Sequence, residues 1–286
     1  MAAIYQVAAK LVRLFPGSRA LGLASYWRDL GRLANADAVV VSFPKSGRTF
    51  VRVMLARLYQ LQFGINEREA LNFATLRRTA RNVPRLLFTH DGDAMRGPGQ
   101  ISINRKAYEG RRVAILARHP GDVAVSRYYH LKHRSRDPAR QKLAQQPLEK
   151  FVWTEQGGIP SIVSFLNGWA AVARERPDLL IVRYEDFLNS PNDALAKLAV
   201  FVGLASDDRS ISDAVEFARF DNLKKLEREG YFTSKRLGAR AAGNDQSYKV
   251  RTGISGGFRA QLSSADQLRI RTYIQKNLDP MFNYEC

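Results

Sequence analysis

Apolar positions along the chain fall into two kinds of stretch. The first kind is short and nearly unbroken: Ala36 to Phe43 (ADAVVVSF), which is rich in valine, Arg85 to Thr89 (RLLFT), Arg112 to Ala117 (RVAILA) and Leu179 to Tyr184 (LLIVRY). Such runs predict strands buried on both faces, as in a parallel sheet. The second kind carries apolar residues at helical spacing, as Thr49 to Leu61 does directly after the first run. Pro120 and Asp122 open a helix after the third run that continues through Val123, Ser126 and Tyr129. Ser190-Pro191-Asn192 caps a helix from Asp193 to Val202, and Ser263-x-x-Asp266 caps a last one to Lys276. Alternating strands and helices predict an α/β fold, a central parallel sheet with helices on both faces, forming one domain over 36–286. Two polar stretches, 131–150 and 228–250, read as loops or lids over a site.

Ahead of the first strand, Ile4, Val7, Ala8, Leu11 and Leu14 recur at helical spacing, with Lys10, Arg13, Arg19, Arg28 and Arg32 between the apolar runs. Residues 1–35 therefore predict an amphipathic helical segment packed on the domain, with a membrane surface as the alternative support. The interrupting charges argue against a signal h-region, and no run has the length of a membrane span. The one cysteine, Cys286, cannot form an internal disulfide, and no Cys/His cluster suggests zinc. A reducing cytoplasm is the expected compartment.

The net charge of +18 calls for an anionic partner. Basic residues are spread out, with local density at 76–85, 127–142 and 224–240. That spread argues against a nucleic-acid module and suits a site for several phosphates.

In parallel α/β sheets, ligands bind beyond the carboxyl ends of the strands. Lys45, His90, Arg118 and Tyr184 all stand at or just past a predicted strand end. Pro44 to Thr49 links a strand to a helix, so backbone N–H groups and the helix dipole are available to an anion. Gly47 lets the backbone curl, Lys45 adds a charge, and Ser46 and Thr49 add hydroxyls. The order is not that of a Walker A loop, because the lysine precedes the glycine. Arg118, with Ser126 two helical turns later, offers a planar fork for a second phosphate.

Taken together, these motifs resemble the sulfotransferases that use 3′-phosphoadenosine 5′-phosphosulfate (PAPS). The family's phosphosulfate loop reads P-K-S-G-T-T-W, and Pro44 to Phe50 is similar to it. Its 3′-phosphate motif reads R-N-P-x-D-x-x-x-S, and Arg118 to Ser126 keeps the same spacing. Tyr184-Glu185-Asp186 matches Y-E-D, and Arg251-Thr252-Gly253 with Gly256-Gly257-Phe258 resembles R-K-G…G-x-W. The likeness runs from about residue 37 to 282 and implies a P-loop-like domain.

The resemblance implies further roles. Lys45, Ser46, Gly47, Arg48 and Thr49 would hold the 5′-phosphosulfate, with Lys45 also facing the leaving oxygen. Arg118, Ser126, Arg251, Thr252 and Gly253 would hold the 3′-phosphate. Phe50, Tyr184 and Phe220 would line the adenine pocket. His90, in the family's T-H position, would be the general base, with Asp91 in reserve. The reaction would be in-line sulfuryl transfer to a hydroxyl or amine acceptor, without a metal.

Several positions depart from the pattern. Phe88 stands where the family often has a lysine, leaving Arg48 as the replacement cation. Thr252 replaces the lysine of R-K-G, and the family's dimer motif is not visible around Arg259 to Ser264, so the oligomeric state stays open. Lys132, Arg134, Arg136, Arg140, Lys235, Arg236 and Arg240 make the two polar stretches basic, which suits a glycan or lipid head group as readily as another small-molecule acceptor; nucleic acid is not expected. Two other classes remain at this point: a P-loop phosphoryl transferase or kinase, and a non-catalytic basic protein that binds polyanions.

Overall fold

The computed structural model describes residues 30–66, 69, 76, 82–92, 96–101, 103–135, 137–231 and 254–284. Strands β1 (Ala38–Val41), β2 (Leu86–Thr89), β3 (Arg112–Ala117) and β4 (Leu180–Arg183) form one sheet in the order β2-β1-β3-β4. Every pairing is parallel: Val41 lies opposite Thr89 and Ile115, and Ala117 opposite Arg183. Each strand lies within its predicted run, trimmed by one or two residues at the ends of three of them. Asp37 fixes the amino-terminal edge, taking bonds from Arg85 N (2.8 Å), Nε (2.9 Å) and Nη2 (2.6 Å).

The longer helices are α1 (Arg48–Phe63), α2 (Pro120–Arg134), α3 (Ile159–Glu175), α4 (Pro191–Val202), α5 (Asp208–Phe217), α6 (Phe220–Arg228) and α7 (Ser264–Asn277). Strand side chains alternate between faces, so each strand feeds two cores. Ala38, Val40, Leu86, Ala114, Leu116 and Val182 pack with α1, α4, α5 and α6. Val39, Val41, Leu87, Val113, Ile115 and Ala117 pack with α2, α3 and α7. The expected two-sided parallel sheet is thus observed.

Two of the three expected helix starts are as read; Ser190 is the N-cap of α4, which begins at Pro191, but its side chain makes no capping bond. Pro120 is the first residue of α2, and Ser263 Oγ accepts from Asp266 N at 3.1 Å at the start of α7. The stretch 131–150 is more ordered than its polarity predicts. It contains the end of α2 and helical turns at Pro138–Leu143 and Leu148–Phe151. Arg134 is not a loop cation: it is buried at the end of α2 and pairs with Glu227 of α6 at 3.5 Å. Most of 228–250 and of the 1–35 segment lies outside the described residues.

Candidate active site

Past Val41 the chain turns through 42–47 into α1. Lys45 and Gly47 both have positive φ, 78° and 83°. For glycine this is free; for Lys45 it costs about 1 kcal/mol, which the surrounding loop must offset. These two residues, on either side of buried Ser46, curl the backbone into a concave turn closed by Ser46 N donating to Phe43 O at 3.3 Å. Gly47 is the N-cap of α1 and offers no side-chain acceptor. The first-turn amides of α1, from Arg48 and Thr49, therefore point out of the helix end toward this turn.

Alternation carries the same parity past each strand end. Ser42, His90, Arg118 and Tyr184 continue the series of Val40, Phe88, Leu116 and Val182, so they project on the α1 face. They meet there. A Cβ on Gly47 would come 2.1 Å from Tyr184 Cδ2, so the tyrosine ring lies directly against the glycine. Arg118 covers the same ring at 4.4 Å from its centroid, and Phe50 meets it edge-on at 6.2 Å. Arg118 Nη1 donates to Lys45 O at 3.3 Å and Nη2 to Ile254 O at 3.2 Å. Its Nε is buried and has no hydrogen-bond partner among the described residues. An orphaned buried donor costs about 1–3 kcal/mol, and an anionic oxygen would relieve that cost. The site therefore fits a phosphorylated ligand at Arg118 and a second anionic group at the turn.

His90 Nδ1 lies 2.8 Å from Ser42 O. A carbonyl only accepts, so Nδ1 carries the proton and the neutral ring presents its lone pair on Nε2. Asp91 turns to the other face. It has a φ of 51°, and its Oδ1 accepts from Tyr108 Oη at 2.7 Å, while Arg96 donates to its carbonyl. Burial pushes the Asp91 carboxyl above the usual range, opposed by the Tyr108 bond and the Arg96 charge.

Other expected residues are placed less closely. Ser126 is half-buried within α2, and Phe220 is the half-buried first residue of α6. Arg48, the expected substitute for the missing lysine, opens α1. It is Arg52, one turn further on, that lies over the Phe88 ring at 4.9 Å from its centroid. Arg251, Thr252 and Gly253 lie outside the described residues.

Sequence reading missed a second network on the opposite face. Asp122 was expected only to favour the helix N-terminus. Its carboxylate is buried and accepts from Gly256 N (2.8 Å) and Phe258 N (3.0 Å). Phe258 stacks on His119 with centroids 4.8 Å apart. His119 Nδ1 accepts from Gly121 N at 3.2 Å. Burial holds the His119 imidazole down to about 4, opposed by Asp122 and helped by Arg259 and Arg118. Beside it a cavity of about 310 Å³ is lined by Arg183, Glu185, Arg259 and Tyr284 among others. No local signal pointed to the Asp122 role, because the burial that makes its carboxylate need donors arises only in the fold, and the donors lie far along the chain. Nothing in the local pattern links Tyr284 to Glu185.

The description of the sulfotransferase domain family matches residues 107–282, which contain Arg118, Ser126, Tyr184 and Phe258. Sulfotransferase 1A1 of Canis lupus familiaris is 25% identical over 258 residues, covering 85% of this chain and 83% of its own. Cytosolic sulfotransferase 3 of Arabidopsis thaliana is 22% identical over 244 residues, covering 80% and 72%. Among solved structures, retinol dehydratase in complex with androsterone and the inactive cofactor PAP has a TM-score of 0.59 at 18% identity, covering 88% of this chain and 84% of its own. A mouse sulfotransferase complexed with PAP gives 0.59 at 16% identity, covering 87% and 88%. The fold is shared with these structures, and the chain belongs to the PAPS-dependent sulfotransferase family.

Proposed function

We propose that the chain transfers the sulfuryl group of PAPS to the hydroxyl or amine of a small-molecule acceptor, with His90 as general base. The observation that carries this reading is the convergence of the turn at Lys45–Gly47, Arg118 and Tyr184 on one face of the sheet. That arrangement suits a nucleotide with anionic groups at both ends and its base against an aromatic ring. Lys45, Ser46, Gly47, Arg48 and Thr49 take the 5′ end, and Phe50, Tyr184 and Phe220 take the adenine. Arg118 and Ser126 take the 3′-phosphate. Arg251, Thr252 and Gly253 join them; they directly precede Ile254, whose carbonyl Arg118 already holds.

PAPS supplies the sulfuryl group. The acceptor oxygen or nitrogen forms a bond to sulfur as the bond from sulfur to the 5′-phosphate oxygen breaks. His90 Nε2 takes the acceptor proton, while Ser42 O orients the ring through Nδ1. Lys45 and the first-turn amides of α1 meet the charge that grows on the departing phosphate oxygen. Positioning and electrostatics do most of the work, as in phosphoryl transfer. Asp91 is the weaker candidate base, because it faces Tyr108. The cation beside Phe88 is Arg52, which supports a role for it, with Arg48, on the sulfuryl side.

The catalytic unit is one domain over 36–286, since β1 pairs with both β2 and β3. The 1–35 segment packs on that domain or meets a membrane surface. Acceptors include amphiphilic and acidic small molecules; relatives include a 3-beta-hydroxysteroid sulfotransferase of Cavia porcellus. Among the described residues no helix is long and apolar enough to cross a membrane, and a cytoplasmic setting remains our expectation.

Calorimetry tests the reading. Adenosine 3′,5′-bisphosphate should bind more tightly than ATP, and Arg118→Ala should weaken it by about 30-fold or more, as for loss of a charge-assisted fork. Equal or tighter ATP binding would refute the donor assignment. His90→Asn should keep bisphosphate affinity and lose about 100-fold or more in kcat. Full turnover in that variant would remove His90 as base.

A further inference from the structure

We propose that Tyr284, acting through Glu185, is a positioning residue for Arg118 and hence for recognition of the nucleotide's 3′-phosphate. The inference rests on the reading that Arg118 binds that phosphate. β3 and β4 end at Ala117 and Arg183, and two further bonds continue their ladder. Tyr184 N donates to Ala117 O at 2.9 Å. His119 N then donates to Glu185 Oε1 at 3.0 Å, so a side-chain carboxylate replaces the backbone acceptor that a longer strand would supply. Arg118 sits between these two bonds. Its backbone is clamped on both sides, and its guanidinium lies over the Tyr184 ring within the same clamp.

The clamp is only as firm as Glu185. Its other oxygen, Oε2, accepts from Tyr284 Oη at 3.0 Å, so the carboxylate is tied to His119 on one side and to Tyr284 on the other, with its own backbone amide also favouring the charged form. Tyr284 also packs edge-on against His119 at 5.6 Å. Without the Tyr284 hydroxyl, a mostly buried carboxylate loses a donor and reorients or takes up a proton, and either change loosens its hold on His119 N. Arg118 would then keep its charge and its contacts with Lys45 O and Ile254 O, but on a backbone less firmly held, so its direction would be less sharply set. A planar guanidinium depends on direction more than a lysine does.

The test compares adenosine 3′,5′-bisphosphate with adenosine 5′-phosphate, which lacks the 3′ group. In Tyr284→Phe the bisphosphate should weaken about tenfold while the monophosphate stays within about twofold, the size of one lost hydrogen bond to a charged group. Glu185→Gln can keep both ties, accepting from His119 N and donating to the Tyr284 oxygen, and should retain the wild-type preference. Equal weakening of both nucleotides in Tyr284→Phe would mean a merely structural role and would overturn the proposal, as would no change in either. Arg118→Ala separates the two claims. If it leaves the preference intact, the 3′-phosphate assignment fails. If it abolishes the preference and Tyr284→Phe does not reduce it, the positioning role fails.

Discussion

His119 shows how one residue can be legible as a letter and opaque as a role. In the family motif an asparagine takes its place, and the sequence offered no function for the substitution. In the fold it is the N-cap of α2, stacked on Phe258 and neutral because burial holds its pKa at about 4. Above pH ~6.5 it is neutral both folded and unfolded, so its contribution is fully present. As pH falls from there toward about 4, the unfolded chain takes up the proton and the folded chain does not. Stability is then lost, by up to about 3 kcal/mol. Urea midpoints at pH 7 and pH 5 check this. Wild type should lose about 2 kcal/mol more than His119→Asn, which keeps an acceptor but does not titrate. Glu185, pushed up by burial, works in the opposite direction in both proteins and does not affect the comparison. Equal losses would mean that His119 is not held neutral.

At the scale of elements, the strands were the most readable part. Each is a short, mostly buried apolar run, and hydrophobic pattern alone identifies such runs. Helix α3 was not anticipated, although Trp169 within it is fully buried. Helices α5 and α6 were also missed. Their placement depends on partners far along the chain, such as Arg57 of α1, which bonds Asp213 of α5 at 2.6 Å. The candidate site was half legible. Lys45, Gly47, Arg118 and Tyr184 could be read because strand ends gather ligand residues, but the contact of Gly47 with the Tyr184 ring could not. That contact makes the turn before α1 intolerant of a side chain. Gly47→Ala imposes both a left-handed φ on alanine and a 2.1 Å clash. It should cost about 1–3 kcal/mol in stability and weaken bisphosphate binding at least tenfold. A Gly47→Ala protein with wild-type affinity would show that the turn and Tyr184 separate freely.

For the whole molecule, charge dominates. A surplus of +18 repels itself throughout the folded state, while a bound nucleotide offsets part of it. Salt should therefore act in opposite directions on two observables. Between about 20 and 200 mM NaCl, the unliganded protein should melt a few degrees higher, because screening relieves the repulsion. Over the same range bisphosphate affinity should fall severalfold, because the same screening weakens attraction to Arg118 and the turn. A melting temperature that falls with salt would show that local ion pairs, not net repulsion, set the balance.

The bonds from Asp122 to Gly256 and Phe258 also bear on how the chain is made. On the ribosome, β3 and α2 emerge more than a hundred residues before these partners exist. Until residues 254–284 follow, Asp122 lacks both amide donors, Glu185 lacks Tyr284, and His119 has no ring to stack on. A nascent chain stalled before this point would thus present, beside Arg118, two carboxylates that favour water over burial. Residues 254–284 complete these bonds, so a chain stalled before them would stay open and remain exposed to chaperones and proteases.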